Sequence, residues 1–305
     1  MDAGKIVYDN SMELFEQTLQ YTLSGLSTGA IYALIGLGFA IIYNSTGIIN
    51  FAQGELVMLG GMLTLFFHII LQFSLPVAVI FAVLVATAVG ALFERLAISP
   101  LKDADPLILV IITIGGSILI RGVAMLIWGK DTHALPMFSG DDPIVLCGAT
   151  IMPQNIWIFG ITLIVIVANR FFFHHSIIGK AMRACSFNRH ASRLVGIDVK
   201  QMVLFSFAIS SAMGAVAGII IAPLTMTSYD VGIMLGLKGF CAAIVGGMSY
   251  GIGTVAGGLL VGVLESLGAG LISSGYKDAI AFIILLLILF IRPQGLFVKG
   301  ETERV

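Results

Sequence analysis

Residues 179–200, "GKAMRACSFNRHASRLVGIDVK", separate two long apolar runs. The stretch carries Lys180, Arg183, Arg189, Arg193 and Lys200 against one acid, Asp198, in a 305-residue chain that has only 16 Lys and Arg. Bases gathered between apolar runs mark the cytoplasmic side of a membrane protein, because short cytoplasmic loops carry an excess of Lys and Arg. The composition on either side agrees: 58% of the chain is hydrophobic and 11% charged, against about 25% charged in soluble domains. Mean hydropathy is +1.04. A soluble domain could not hide that much apolar surface, whereas a bilayer solvates it, with spans of about 20 residues as helices. The alternating segments of ~10 residues that build a transmembrane barrel are absent.

The apolar runs predict an all-α, polytopic transmembrane helical bundle of eight to nine hydrophobic segments. They lie near 22–43, 47–71, 75–98, 106–128, 154–173, 201–222, 232–250 and 253–291, the last a hairpin turning at "SSGYKD" (273–278). The runs at 47–71 and 232–250 are interrupted by Gly and polar residues and are expected to be broken or re-entrant. The whole chain, 1–305, reads as one domain, with a polar N-terminal segment (1–20), an extracytoplasmic loop (129–153) and a cytoplasmic helix (179–196). Asp2, Asp9, Glu13 and Glu16 against Lys5 are not the basic start of a cleavable signal, so the first apolar run is expected to remain as a span.

Orientation follows from the bases. "ERLAISPLKDADP" (94–106) carries Arg95 and Lys102 and falls on the same side as 179–200. The 129–155 connection has Lys130 alone among its Asp, Pro and Gly residues, and so faces outward. Arg292, Lys299 and Arg304 put the C-terminus in the cytoplasm, and counting spans back puts the N-terminus outside. Cys147, Cys185 and Cys241 are widely separated, and His174-His175 sit beside "FFF" as interfacial residues, so no metal site is expected. Glycine, with 36 residues, recurs at four-residue spacing in Gly25/Gly29, Gly214/Gly218 and Gly258/Gly262. In lipid this spacing lets helix backbones touch.

On a helical wheel of residues 180–196, Ala184, Phe187, Ala191, Leu194 and Val195 share one arc, and Arg189, His190 and Arg193 lie opposite. Two readings fit this amphipathic helix: an interfacial helix on anionic lipid, or an element docking its apolar knobs into another protein.

The wording of the sequence adds to the periodicity. "GLSTGAIYALIGLGFAIIYNSTGIINFAQGELVMLGG" (25–61), residues 179–219, "KGFCAAIVGGMSYGIGTVAGGLLVGVLES" (238–266) and "YKDAIAFIILLLILFIRPQGLF" (276–297) together resemble the permeases of branched-chain amino-acid ABC importers. The resemblance implies a permease working with a paralogous permease as a heterodimer, two ATP-binding subunits and an extracytoplasmic substrate-binding protein, in a bacterial inner membrane. ATP and Mg would sit on the ATPase subunits, since this chain has no G-x-x-x-x-G-K-[ST] phosphate cradle and itself needs no cofactor. It makes residues 179–196 the coupling helix, with Gly179, Arg183, Ala184, Phe187, Ala191, Leu194 and Gly196 as its contact and shaping residues. Lipid surrounds such a chain, and no nucleic acid is implied. One residue departs from the family pattern: Gln53 in "NFAQGE" stands where His is usual. The expected cargo is leucine, isoleucine or valine. A urea, short-amide or sugar permease is the alternative within the superfamily, and an autonomous channel or ion-coupled carrier the alternative outside it.

Charges at membrane depth face a cavity or each other. Arg121 lies about 22 Å, and Glu265 about 18 Å, from the basic side by helical rise. They are read as an ion pair, or as two charges with separate polar partners. Asn50, Gln53, Gly54 and Glu55 follow Gly47 at the cytoplasmic end of the second segment. They form either a gate in a broken helix or a lock that caps the break.

Overall fold

The computed structural model describes residues 3–101, 104–146, 149–248 and 251–297. The sequence readings that involve Asp2, Lys102, Cys147, Lys299 and Arg304 lie outside the described residues. The chain is a bundle of helices: α1 (Ala3–Thr46), α2 (Gln53–Leu65), α3 (Leu75–Phe93), α4 (Pro106–Trp128) and α5 (Pro153–His175), then α6 (Ile177–Phe187) and α7 (Arg189–Leu194), and finally α8 (Val199–Ile221), α9 (Val231–Gly246), α10 (Ile252–Leu271) and α11 (Lys277–Ile291). Among the described residues, eight helices are long and apolar enough to cross a membrane, and α9 is a shorter apolar helix. The two runs expected to be interrupted are the two shortest central helices, α2 and α9. Strands β1 (Ile144–Leu146) and β2 (Ala149–Ile151) pair antiparallel within the 129–153 loop.

The ends of the helices follow local chemistry. Asp105 caps α4, its side chain accepting from Leu107 N, and Pro106 takes the first turn, where its missing N–H is no loss. Asp198 likewise accepts from Lys200 N and Gln201 N to start α8. Gly247, at φ +98°, stops α9 in the left-handed conformation that a side chain resists.

Residues 3–20 of the polar N-terminal segment are helical and continue into the first span as α1, whose 44 residues rise about 66 Å, twice the ~30 Å of a bilayer core. One expectation is corrected. The 179–196 helix is two helices, because Asn188 leaves the helical region (φ −155°, ψ 102°) and caps α7 by accepting from Ala191 N.

Successive connections alternate between two ends. At one end Arg189 Nη2 donates to Ser45 O, and Leu296 N to Val245 O. At the other, His133 pairs with Thr227, and Gln20 with Thr150. The 46–52, 101–105, 176–198 and 247–251 connections therefore share the basic end, and 129–152 and 222–230 share the opposite one. Helices α1, α2 and α8 form the interior; α3, α4, α5 and α11 present rows of exposed Leu and Ile, as lipid-facing helices do. The inner helices meet through backbone. A Cβ on Gly29 would lie 2.8 Å from Gly258 O, and one on Gly25 would lie 2.8 Å from Gly262 O. The four-residue glycine spacing thus brings α1 onto α10, with van der Waals contact in place of the hydrophobic force that lipid removes.

Candidate functional site

At the basic end, α6 and α7 form an elbow. Ser176 caps α6, and Gly179 packs so tightly on the end of α5 that a Cβ would lie 2.7 Å from Phe173 Cα. Gly196 (φ +86°) turns the chain after α7. The inward face consists of Met182, Cys185 and Ser192. Ala184 and Ala191 are exposed, as are Phe187 (83%), Leu194 (77%) and Val195 (76%). The break at Asn188 leaves the apolar arc intact, since every one of its members faces out of the chain. Arg183 is half-buried, its Nε without a partner. Arg189 reaches Ser45 at the end of α1, tying the elbow to the first span. Burial of its guanidinium, with Arg193 nearby, draws its pKa below the ordinary arginine value, which still leaves it charged at neutral pH.

The second cluster starts α2. The chain turns at Gly47 (φ +72°) and climbs back into the bundle. Phe51 N donates to Thr113 Oγ1 (3.2 Å), and Ser117 Oγ donates to Glu55 Oε1 (2.8 Å). Thr113 and Ser117 lie roughly 10 and 16 Å along α4 from its basic end. Asn50–Glu55 therefore opens the second segment at its basic end, as read from the sequence, and lies level with the first half of α4. Asn50 Oδ1 accepts from Ala52 N at 3.1 Å, which shapes the turn. Gln53 spans to α8: its Nε2 donates to Ser210 O (3.1 Å), and Ser210 Oγ lies 2.8 Å from both Gln53 Oε1 and Gly38 O. Gly54 is not part of the break. It lies in the first turn of α2 at the crossing with α9, where a Cβ would strike the Gly232 carbonyl. Asn50 Nδ2 and Glu55 Oε2 are buried without partners.

The Arg121–Glu265 pair does not form. Glu265 Oε1 takes Lys238 Nζ at 2.8 Å and the Tyr32 hydroxyl at 3.2 Å, with Lys277 Nζ at 3.8 Å. Lys238 also meets Asp278 at 2.6 Å. The reason is lateral position: α10 packs on α1, α9 and α11, whereas α4 packs on α2 and the end of α3. Arg121, one turn beyond Ser117, lies in the field of Glu55 instead. Lys238 was missed from sequence, although a lone base in "GLKGF" within an apolar run was the signal for it.

A cavity of about 610 Å³ opens toward the end opposite the basic elbow, lined at its mouth by Thr225, Ser228 and Asp230 and deeper by Tyr32 and Lys238. Among the described residues no group of three His, Cys, Asp or Glu is placed to hold a metal.

Buried charges inside an apolar helical bundle, with an uncovered apolar elbow at one end, define the class: a multi-pass membrane permease. The chain belongs to the family described as branched-chain amino acid transport system, permease component, whose model matches residues 21–289. It is 34% identical to the high-affinity branched-chain amino acid transport system permease protein LivH of Salmonella typhimurium, covering 96% of this chain and 99% of that one. It is 33% identical to BraD of Pseudomonas aeruginosa, covering 94% and 98%. The ribose import permease protein RbsC of Escherichia coli is more distant, at 26% identity over 88% and 84%.

Proposed function

We propose that this chain is the membrane-spanning subunit of an ATP-driven, binding-protein-dependent importer of branched-chain and other hydrophobic amino acids. The observation that carries the reading is the elbow. Phe187, Leu194 and Val195 stand in the open beside Arg189 and Arg193, at the end of the molecule where bases gather. Such a surface suits a groove on an ATPase subunit. In this reading the basic end is cytoplasmic, the N-terminus is outside, and the C-terminus is inside. A second, paralogous permease completes the membrane part, two ATPase subunits hold ATP and Mg, and a binding protein delivers cargo from outside. This chain does no hydrolysis itself.

The start of α2 is the gate of this machine. Gly47 supplies a turn in the left-handed region, and Asn50 Nδ2 and Glu55 Oε2 hold unused hydrogen-bonding capacity inside the bundle. A path that opens and closes needs polar groups able to exchange partners. Gln53 keeps a hydrogen-bonding role where the family pattern has His. Gly54 serves the gate indirectly, by letting α2 rest on α9. A ribose-type cargo is disfavoured by the lower identity to that permease, 26% against 34%.

The test is co-purification of the chain with its ATPase subunits, followed by ATP hydrolysis with loaded binding protein. Stimulation by leucine-loaded protein and not by ribose-loaded protein is the expected result. Hydrolysis that responds to neither, in an intact complex, would overturn the reading.

A further inference from the structure

The Lys238–Glu265 pair is more than a buried ion pair, because the carboxylate has one oxygen left. Lys238 Nζ donates to Glu265 Oε1 at 2.8 Å, lies 2.6 Å from Asp278 Oδ1 and sits over the Tyr32 ring. Glu265 Oε1 is shared by Lys238, Tyr32 and Lys277, while Oε2 is buried and has no partner. Both side chains are more than nine-tenths buried. Each faces a cavity: Lys238 lines the one of about 610 Å³, and Glu265 lines a neighbouring one of about 260 Å³. Ser24, Thr28 and Lys277 line both, so the two spaces adjoin across the same stretch of α1.

We propose that these adjoining cavities form a substrate site within the permease for an α-amino acid with an apolar side chain. Its carboxylate lies against the Lys238 ammonium, and its ammonium on the Glu265 carboxylate, whose Oε2 has no partner in the chain. The inference rests on the importer reading above and adds to it where in the chain the cargo is held. An α-amino acid carries its two charges side by side with no net charge, and so does the Lys238–Glu265 pair. Laid head to tail, the two pairs satisfy each other without adding net charge to the membrane interior, where an unmatched charge is costly. The remaining wall suits an aliphatic chain: Ile31, Ile158, Ile221 and Leu235 line the larger cavity. Its volume falls within the ~300–1,000 Å³ of small-molecule pockets. A sugar would satisfy the hydroxyl-bearing residues but offer no cation to the free Glu265 oxygen.

The experiment uses the complete importer in proteoliposomes, reading leucine uptake and ATP hydrolysis driven by loaded binding protein. Met234 lines the larger cavity and is 39% exposed. Met234→Cys is made in a Cys147→Ala background, so that the remaining native cysteines, Cys185 and Cys241, are buried. A bulky methanethiosulfonate is added from outside and later removed with dithiothreitol. Uptake is expected to fall at least tenfold on labelling and to return on reduction. Because the same folded complex gives both readings, misfolding cannot mimic the result. The double variant Lys238→Met/Glu265→Gln, which keeps the cavity and removes the charge pair, is expected to lose uptake by a similar factor while still co-purifying with the ATPase. Unchanged uptake in the labelled protein or in the double variant would overturn the assignment while leaving the importer reading in place. Failure of the unaltered complex to take up any amino acid would overturn the importer reading, and this site with it.

Discussion

Replacing Lys238 with Met removes a charge but keeps most of the side-chain volume, so the loss reports on the ion pair rather than on a void. It leaves Glu265, 1% exposed, with only the Tyr32 hydroxyl at 3.2 Å and Lys277 at 3.8 Å. Stranding one member of a buried pair costs about 3–5 kcal/mol, and the partial help from Lys277 sets the expectation near the lower figure. Glu265→Gln is milder. Lys238 keeps Asp278 at 2.6 Å, and the amide still accepts from Tyr32, so a loss of about 1–3 kcal/mol is expected. The double variant leaves neither charge stranded and should be more stable than the sum of the singles predicts, by about 1–3 kcal/mol of coupling. Arg121→Gln supplies the control. Its helix does not pack on α10, so with Glu265→Gln the losses should add within about 0.5 kcal/mol. Reversible unfolding in mixed micelles, followed by circular dichroism, measures the five variants and the unaltered protein. Recovery of Glu265→Gln by Arg121→Gln, or strict additivity with Lys238→Met, would refute the partner assignment.

Five further substitutions probe the other clusters. Phe187→Asp and Leu194→Asp change exposed side chains and should leave the chain's own stability within about 0.5 kcal/mol, while recovery of the ATPase subunit in co-purification falls several-fold; full recovery would remove the elbow from the docking surface. Gly54→Val puts a branched side chain against the Gly232 carbonyl, an overpacking of about 1–3 kcal/mol or more, so expression and melting temperature should drop together with transport. Gln53→Leu removes the side-chain donor to Ser210 O and one acceptor from Ser210 Oγ, a loss of about 0.5–1.5 kcal/mol that melting would show and Gln53→His would partly restore.

What the sequence reveals about this protein follows the physics of its solvent. Spans and their order are legible because a bilayer demands long apolar runs. The apolar arc of Ala184, Phe187, Ala191, Leu194 and Val195 is legible because a helix repeats its faces, and it survives the Asn188 break because α7 resumes with its apolar residues outward. The break itself was open to reading, since Asn is among the preferred N-cap residues, but the wheel treats the stretch as continuous. Lateral neighbours are not legible. Helical rise gives the height of Arg121 and Glu265 but not the side of the bundle each occupies, and the pairing of Glu265 was decided by α9 passing between α1 and α11. The position of Gly54 fails for a related reason: glycine marks both bends and close crossings, and only the approach of Gly232 separates the two.

The hydrogen bonds and ion pairs inside the bundle also say which contacts can move. Helices α1, α2, α8, α9 and α10 touch largely through glycine and alanine backbone, surfaces that pack closely without interlocking, so side-chain ties must fix how far one helix slides on another. Gln53–Ser210 joins α2 to α8 with both ends of the amide engaged, and Gly38 and Gly214 leave just enough room for it. That tie holds both polar atoms of the amide and belongs to the fixed frame. Glu55–Ser117 joins α2 to α4 through one carboxylate oxygen and leaves the other free, with Asn50 Nδ2 also unused. Breaking it would cost little if the free oxygen found a new donor in the same movement. Motion of the permease core should therefore separate α2 from α4 before it separates α2 from α8. Cysteine cross-links at 53/210 should leave transport intact, whereas cross-links at 55/117 should stop it.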